Sequence, residues 1–179
     1  VQVYAEPGRF GGWPANHGLW SWGNEILVGF SRGFYKDLGE RHNIDRDKPE
    51  EHLLARSRDG GETWSDPVLD RALREAPCQA GFICSALAGH GEHCLLFSNP
   101  ASQKRDKMTV KLSYDEAQTW PVNKTVEAGW SAYSDLAVTK PGTIFCFYGR
   151  GAKPGFAGDA LTLARFNLEW LTDGKDSSP

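Results

Sequence analysis

Short runs of alternating apolar and polar residues mark this chain, and they are bounded by Gly, Pro, Asn and Asp rather than by helix caps. Met108-Thr-Val-Lys-Leu-Ser113 shows the pattern, with every second residue apolar, as a strand with one buried face requires. Residues 18–22 and 25–30 form two such runs around Gly23-Asn24, a hairpin signal. A polar loop is expected over 31–51, then a strand over 53–57 and a closing strand near 67–69. The cycle restarts with strands over 78–87 and 93–98, a loop over 99–107, and strands over 108–113 and 122–126. A third cycle opens with strands over 134–139 and 143–148 around a Lys140-Pro-Gly142 turn and continues with 161–166.

Two boxes punctuate this order. Ser57-Arg-Asp-Gly-Gly-Glu-Thr-Trp64 and Ser113-Tyr-Asp-Glu-Ala-Gln-Thr-Trp120 share the pattern Ser-x-Asp-x-Gly/Ala-x-Thr-Trp, and their first residues stand 56 positions apart. Each Asp is placed to accept from backbone N–H groups of its own turn, Gly60 and Gly61 permit positive φ, and each Trp plugs the turn against the next strand. The repeated unit is therefore hairpin, long loop, strand, box, strand. Four antiparallel strands repeating at this period predict propeller blades, so the expected fold class is all-β with two complete blades and most of a third. The whole of 1–179 is expected to be a single domain, partial relative to a closed ring, whose unpaired blade edges predict self-association.

Composition sharpens the picture in a few places. Seven Trp, 20 Gly and 10 Pro against one Met suit short strands and tight turns. A net charge of −3 without strong clustering argues against nucleic acid as a partner. No apolar run reaches membrane length and no signal peptide is visible at Val1, which leaves the compartment open. Cys78, Cys84, Cys94 and Cys146 show no Cys-x-x-Cys spacing. Buried free thiols are expected, Cys84, Cys94 and Cys146 lying in apolar strand-like runs, with one disulfide as the alternative. His17, His42 and His52 have no metal-ligand spacing, and no metal or cofactor is expected. Asn123-Lys-Thr125 matches a glycosylation sequon.

With the boxes, the stretches Leu96-Phe-Ser-Asn-Pro-Ala-Ser-Gln-Lys-Arg105, Thr109-Val-Lys-Leu-Ser-Tyr-Asp115 and Ser131-Ala-Tyr-Ser-Asp-Leu136 resemble the sialidase (neuraminidase) superfamily, the Asp-box glycosidases built as six-bladed propellers. Residues 43–64 are a second similar segment. The resemblance implies an exo-α-sialidase-like retaining hydrolase that releases terminal sialic acid, with sialylated or other acidic glycans as partners. Sialic acid carries a carboxylate on its anomeric carbon, which arginines bind bidentately. That carboxylate would repel an acidic nucleophile, and sialidases use tyrosine instead. By motif position Tyr133 resembles this nucleophile and Arg105 the last of three carboxylate-binding arginines. Asp45, twelve residues before Ser57, resembles the acid/base, with Asp47 as its rival. Arg9 stands where the first arginine is expected, in Pro-Gly-Arg-Phe-Gly-Gly-Trp rather than the family's Tyr-Arg-Ile-Pro. Most Trp residues are expected as core plugs, with Trp13, Trp20 and Trp130 as candidates for a sugar-stacking rim.

The chain departs from the family in the middle. Only thirteen residues separate Trp64 from Cys78, where the family's middle blades supply a second arginine and the glutamate that activates the tyrosine. Glu75 is the one acidic residue near Cys78. The family's glutamate that supports the first arginine is absent too, the chain reading Phe147-Tyr-Gly-Arg150 there. A non-catalytic blade assembly that binds glycans or protein is therefore the alternative function, and a related enzyme for another acidic sugar is a third.

Overall fold

Gly23 and Asn24 close the first hairpin as their residue types require, Gly23 with a φ of 56°. The computed structural model describes residues 1–13, 18–69, 71–73, 76, 78–85, 87, 94–140, 142–155 and 157–176. His17, Glu75, His93 and Pro141 lie outside them. The chain forms two compact units, Val1–Arg71 and Ala72–Pro179.

In the first unit β1 (Arg9–Gly12) and β2 (Leu19–Trp22) pair end to end along one edge of β3 (Glu25–Phe34). β4 (Glu51–Ser57) takes the other edge and β5 (Val68–Leu69) closes the sheet. All pairings are antiparallel, and the sheet is four strands across. Phe30, Leu53 and Ala55 form its buried cluster, packed by Val3, Tyr4, Val28 and Trp64. The polar loop expected over 31–51 is shorter than its composition implied. β3 runs on to Phe34 because β1 satisfies its backbone, and β4 begins at Glu51 opposite Arg32.

The second unit is one six-stranded antiparallel meander: β6 (Gly81–Ser85), β7 (Cys94–Pro100), β8 (Asp106–Ser113), β9 (Val122–Val138), β10 (Ile144–Gly151) and β11 (Ala160–Phe166). Residues 122–126 and 134–139, expected as separate strands, are one strand of 17 residues. Its first half pairs β8 and its second half pairs β10, with Trp130 opposite both Asp106 and Gly151. The last strand of one set of four thus continues directly into the first strand of the next. Residues 127–133 are expected in neither strand, but ladder bonds to two different strands keep the segment extended. Ser131 patches the changeover: its Oγ accepts from Met108 N at 3.0 Å, and its N–H donates to the Arg105 carbonyl at 2.8 Å.

The core of this unit gathers Leu96, Met108, Val110, Leu112, Leu136, Ile144, Cys146 and Tyr148 from four strands. Leu168 and Leu171 join it from the short helix α1 (Leu168–Leu171), capped by Asn167, whose Oδ1 accepts from Trp170 N at 2.9 Å. Each such buried side chain is worth about 1.5–3 kcal/mol relative to exposure. None of the four cysteines is joined in a disulfide. Cys78, Cys94 and Cys146 are buried, whereas Cys84, expected inside, is exposed because it falls on the outward phase of β6. Burial pushes the Cys146 thiol up to about 12.

The two boxes are near copies in three dimensions. In the first, Thr63 N donates to Asp59 Oδ1 at 2.9 Å and Gly61 N to Ser57 Oγ at 2.9 Å. In the second, Thr119 N donates to Asp115 Oδ1 at 2.8 Å and Ala117 N to Ser113 Oγ at 2.9 Å. Glu116 and Ala117 hold φ values of 59° and 65°, the left-handed conformation that Gly60 and Gly61 adopt without steric cost. Both boxes spend their polar groups on their own turns. Among the described residues no helix is long and apolar enough to cross a membrane, and no cluster of His, Cys, Asp and Glu is set to hold a metal.

Candidate functional site

Tyr133 occupies the bulge of β9. Ser134 pairs with Tyr148 and Ala132 with Gly149, so Tyr133 is the extra residue, held at a φ of 52°. A left-handed tyrosine costs about 1–2 kcal/mol, and such strain gathers at working sites. The bulge turns the side chain out of the sheet, leaving it 53% exposed. The Arg105 guanidinium lies over its ring at 4.8 Å from the centroid. Arg105 is brought there by the loop before β8: Ala101 N donates to the Lys107 carbonyl at 3.1 Å, and Ser102 Oγ bonds the Lys104 carbonyl at 2.8 Å and Asp106. Lys107 is itself left-handed, at a bulge between β8 and β9. Gly149, across the ladder, lets the 157 carbonyl approach: a Cβ there would stand 2.5 Å from Ala157 O. Among the described residues no side chain hydrogen-bonds the Tyr133 hydroxyl. Of the two carboxylates on the same strand, Glu127 is taken by Arg150 at 2.7 Å and Asp135 Oδ1 accepts from Leu136 N at 2.9 Å.

In the first unit Arg9 opens β1 opposite Phe34, whose ring carries the guanidinium at 4.1 Å. Its Nη2 donates to Glu51 Oε2 at 3.1 Å, and Arg32 Nε donates to the same oxygen at 3.0 Å. That bond holds the Arg32 guanidinium above its ordinary range. Sequence reasoning missed Arg32 and Glu51 because both fell in the segment read as loop. Only the β3–β4 register sets them face to face.

Asp45 is 12% exposed, while its rival Asp47 projects into solvent. Lys36 Nζ approaches Asp45 at 3.5 Å and Lys48 Nζ at 3.7 Å, and Asp47 N donates to it at 3.2 Å. Burial pushes the Asp45 carboxyl up, but the Asp47 N–H and the two lysines outweigh it and hold the group below its usual value. Of the tryptophans offered as a rim, Trp20 is buried. Trp13 packs edge-on against His42 at 4.4 Å, with Arg46 over its ring at 5.4 Å. The structure thus joins Arg105 to Tyr133, Arg9 to Arg32 and Glu51, and Asp45 to two lysines.

Antiparallel sheets punctuated by two Asp-box turns define an Asp-box propeller-blade protein. No family profile matches the chain. A sialidase of Micromonospora viridifaciens is 33% identical over 166 residues, covering 87% of this chain and 25% of the relative. The Hadza microbial sialidase Hz136 matches with a TM-score of 0.56 at 23% identity, over 82% of this chain and 36% of that one. The intramolecular trans-sialidase from Ruminococcus gnavus, in complex with oseltamivir carboxylate, matches with a TM-score of 0.56 at 16% identity, over 83% and 41%. Trypanosoma rangeli sialidase, in complex with the inhibitor DANA, matches with a TM-score of 0.57 at 15% identity, over 87% and 24%. The chain belongs to the sialidase superfamily, and its sheets are sialidase-type propeller blades. It spans about a quarter of the length of the curated relative it matches.

Proposed function

We propose that this chain carries exo-α-sialidase-like chemistry, releasing terminal sialic acid from glycoconjugates with retention. Tyr133 is the nucleophile: its oxygen attacks the anomeric carbon and forms a glycosyl–enzyme bond as the glycosidic bond breaks, its proton passing to solvent water and returning to the phenol oxygen when water later displaces it. Asp45, once substrate binding relieves the Lys36 and Lys48 pairing that keeps it ionised, gives a proton to the leaving oxygen, then takes one from the water that opens the intermediate. Arg105 and Arg9 bind the sugar carboxylate. The observation that carries this reading is the left-handed bulge at Tyr133, which holds a phenol out of the sheet with Arg105 on its ring. A 33% identical sialidase relative supports it.

A second reading, a glycan-binding propeller segment without turnover, is favoured by one observation. Among the described residues no side chain hydrogen-bonds the Tyr133 hydroxyl, and a phenol is a weak nucleophile without a base. A fluorogenic sialoside assay separates the two. Turnover lost in Tyr133→Phe supports the first, and turnover unchanged by it removes Tyr133 as nucleophile. No turnover in the parent chain with retained glycan binding establishes the second.

A further inference from the structure

Two guanidiniums from neighbouring strands meet on one carboxylate in the first unit. Arg32 and Glu51 are register partners on β3 and β4, and Arg9 sits diagonally from Arg32 on β1, where Gly11 is opposite Arg32. Glu51 Oε2 accepts from Arg9 at 3.1 Å and Arg32 at 3.0 Å. Arg32 is steadied from its far side by Glu6 at 3.7 Å, and Tyr4 donates to Glu6 at 2.9 Å. Charges in the set Glu6, Arg32, Glu51 and Arg9 cancel, so the cluster does not attract an anion by net charge. What it offers is a fixed guanidinium.

Among the described residues Arg9 is held on two sides, by the Phe34 face and by Glu51. Its side chain is 16% exposed, and its buried Nε has no partner among the described residues. A guanidinium has five donors, and no described residue other than Glu51 takes any of them here. Stacking on Phe34 fixes the plane of the fork but not its rotation within that plane. The Glu51 bond fixes the rotation.

We propose that Glu51 is the positioning residue of Arg9, aiming its unused donors at a ligand carboxylate. Arg32 and Glu6 keep the Glu51 carboxylate in place. The inference rests on the reading of Arg9 as a carboxylate binder.

The test is binding of N-acetylneuraminic acid and its neutral C1 methyl ester, measured by calorimetry on the whole chain and on Glu51→Gln, Glu51→Asp, Arg9→Gln and the double variant Arg9→Gln/Glu51→Gln. Glu51→Gln should weaken the acid about tenfold, the loss expected when a charge-assisted hydrogen bond falls out of register, with ester binding unchanged. Glu51→Asp keeps the charge on a shorter stem, gives an intermediate loss, and serves alone if the Gln variant fails to fold. The double variant should bind no more weakly than Arg9→Gln. Equal loss of acid and ester, no loss of either, or additive losses in the double variant overturn the positioning role while leaving Arg9 as a binder. An acid preference that survives Arg9→Gln overturns both that reading and this inference.

Discussion

Tyr133→Gly and Tyr133→Ala both delete the phenol, so the difference between them isolates the backbone. At an ordinary extended position Ala is the more stable of the two by about 0.5–1 kcal/mol, because Gly loses more freedom on folding. At Tyr133 the φ of 52° reverses the comparison. A residue with a Cβ costs about 1–2 kcal/mol in the left-handed region, and Gly escapes that cost. Subtracting the entropy term leaves Tyr133→Gly about 0.5–1 kcal/mol more stable than Tyr133→Ala. For a chain of this length that is a melting difference of about 1–4 °C. Loss of the Arg105–ring contact is common to both variants and cancels. Urea unfolding of the pair at equal m-value reads the difference directly. If the Ala variant equals or exceeds the Gly variant, Tyr133 is not held in a left-handed bulge, and the geometric case for its function fails.

Other expectations follow from single sites. Hydrogen bonds from the Thr63 hydroxyl and N–H, and from the Ser57 hydroxyl, hold the Asp59 carboxyl down at about 2 from an ordinary 3.8. A depressed folded value means its contribution is complete above about pH 4 and is lost as pH falls toward 2. Asp59→Ala should therefore be less stable than the parent at neutral pH, with the gap closing between pH 4 and 2 in urea titrations; a gap constant with pH would contradict this. Lys36→Met removes one of the cations that hold Asp45 down, so the Asp45 carboxyl should titrate at higher pH by carbon-detected NMR, and an unchanged or lower value refutes the assignment. β11 is an open edge that exposes Leu161 at 77% and Leu163 at 57%. We expect concentration-dependent self-association in light scattering that Leu161→Lys/Leu163→Lys suppresses; a monodisperse parent chain would argue against it.

Turn chemistry and box spacing made much of this fold readable. Gly23-Asn24, the two boxes and the alternation over 108–113 are local signals, and each element they predict is present. What stayed hidden depends on pairing between distant segments. Residues 127–133 fall in neither expected flanking strand because Gly129 interrupts the local strand pattern, yet bonds to β8 and β10 carry β9 straight through. The same limit hid Glu51 and Arg32, which look like loop charges until the β3–β4 register sets them opposite each other. Tyr133 and Arg105 were nameable from motif position. The positive φ, the bulge and the ring contact were not, since no local pattern marks a left-handed tyrosine. Cys84 was misplaced because an apolar run does not reveal which phase of its strand faces inward.

The most direct test of the account is to trap the intermediate. A fluorinated sialosyl fluoride slows the second step, so a retaining enzyme accumulates its glycosyl adduct. We expect peptide mapping to place the sugar on Tyr133 in the parent chain and to find none in Tyr133→Phe. An adduct on another residue, or turnover of a sialoside with Tyr133 unmodified, would contradict the proposed mechanism.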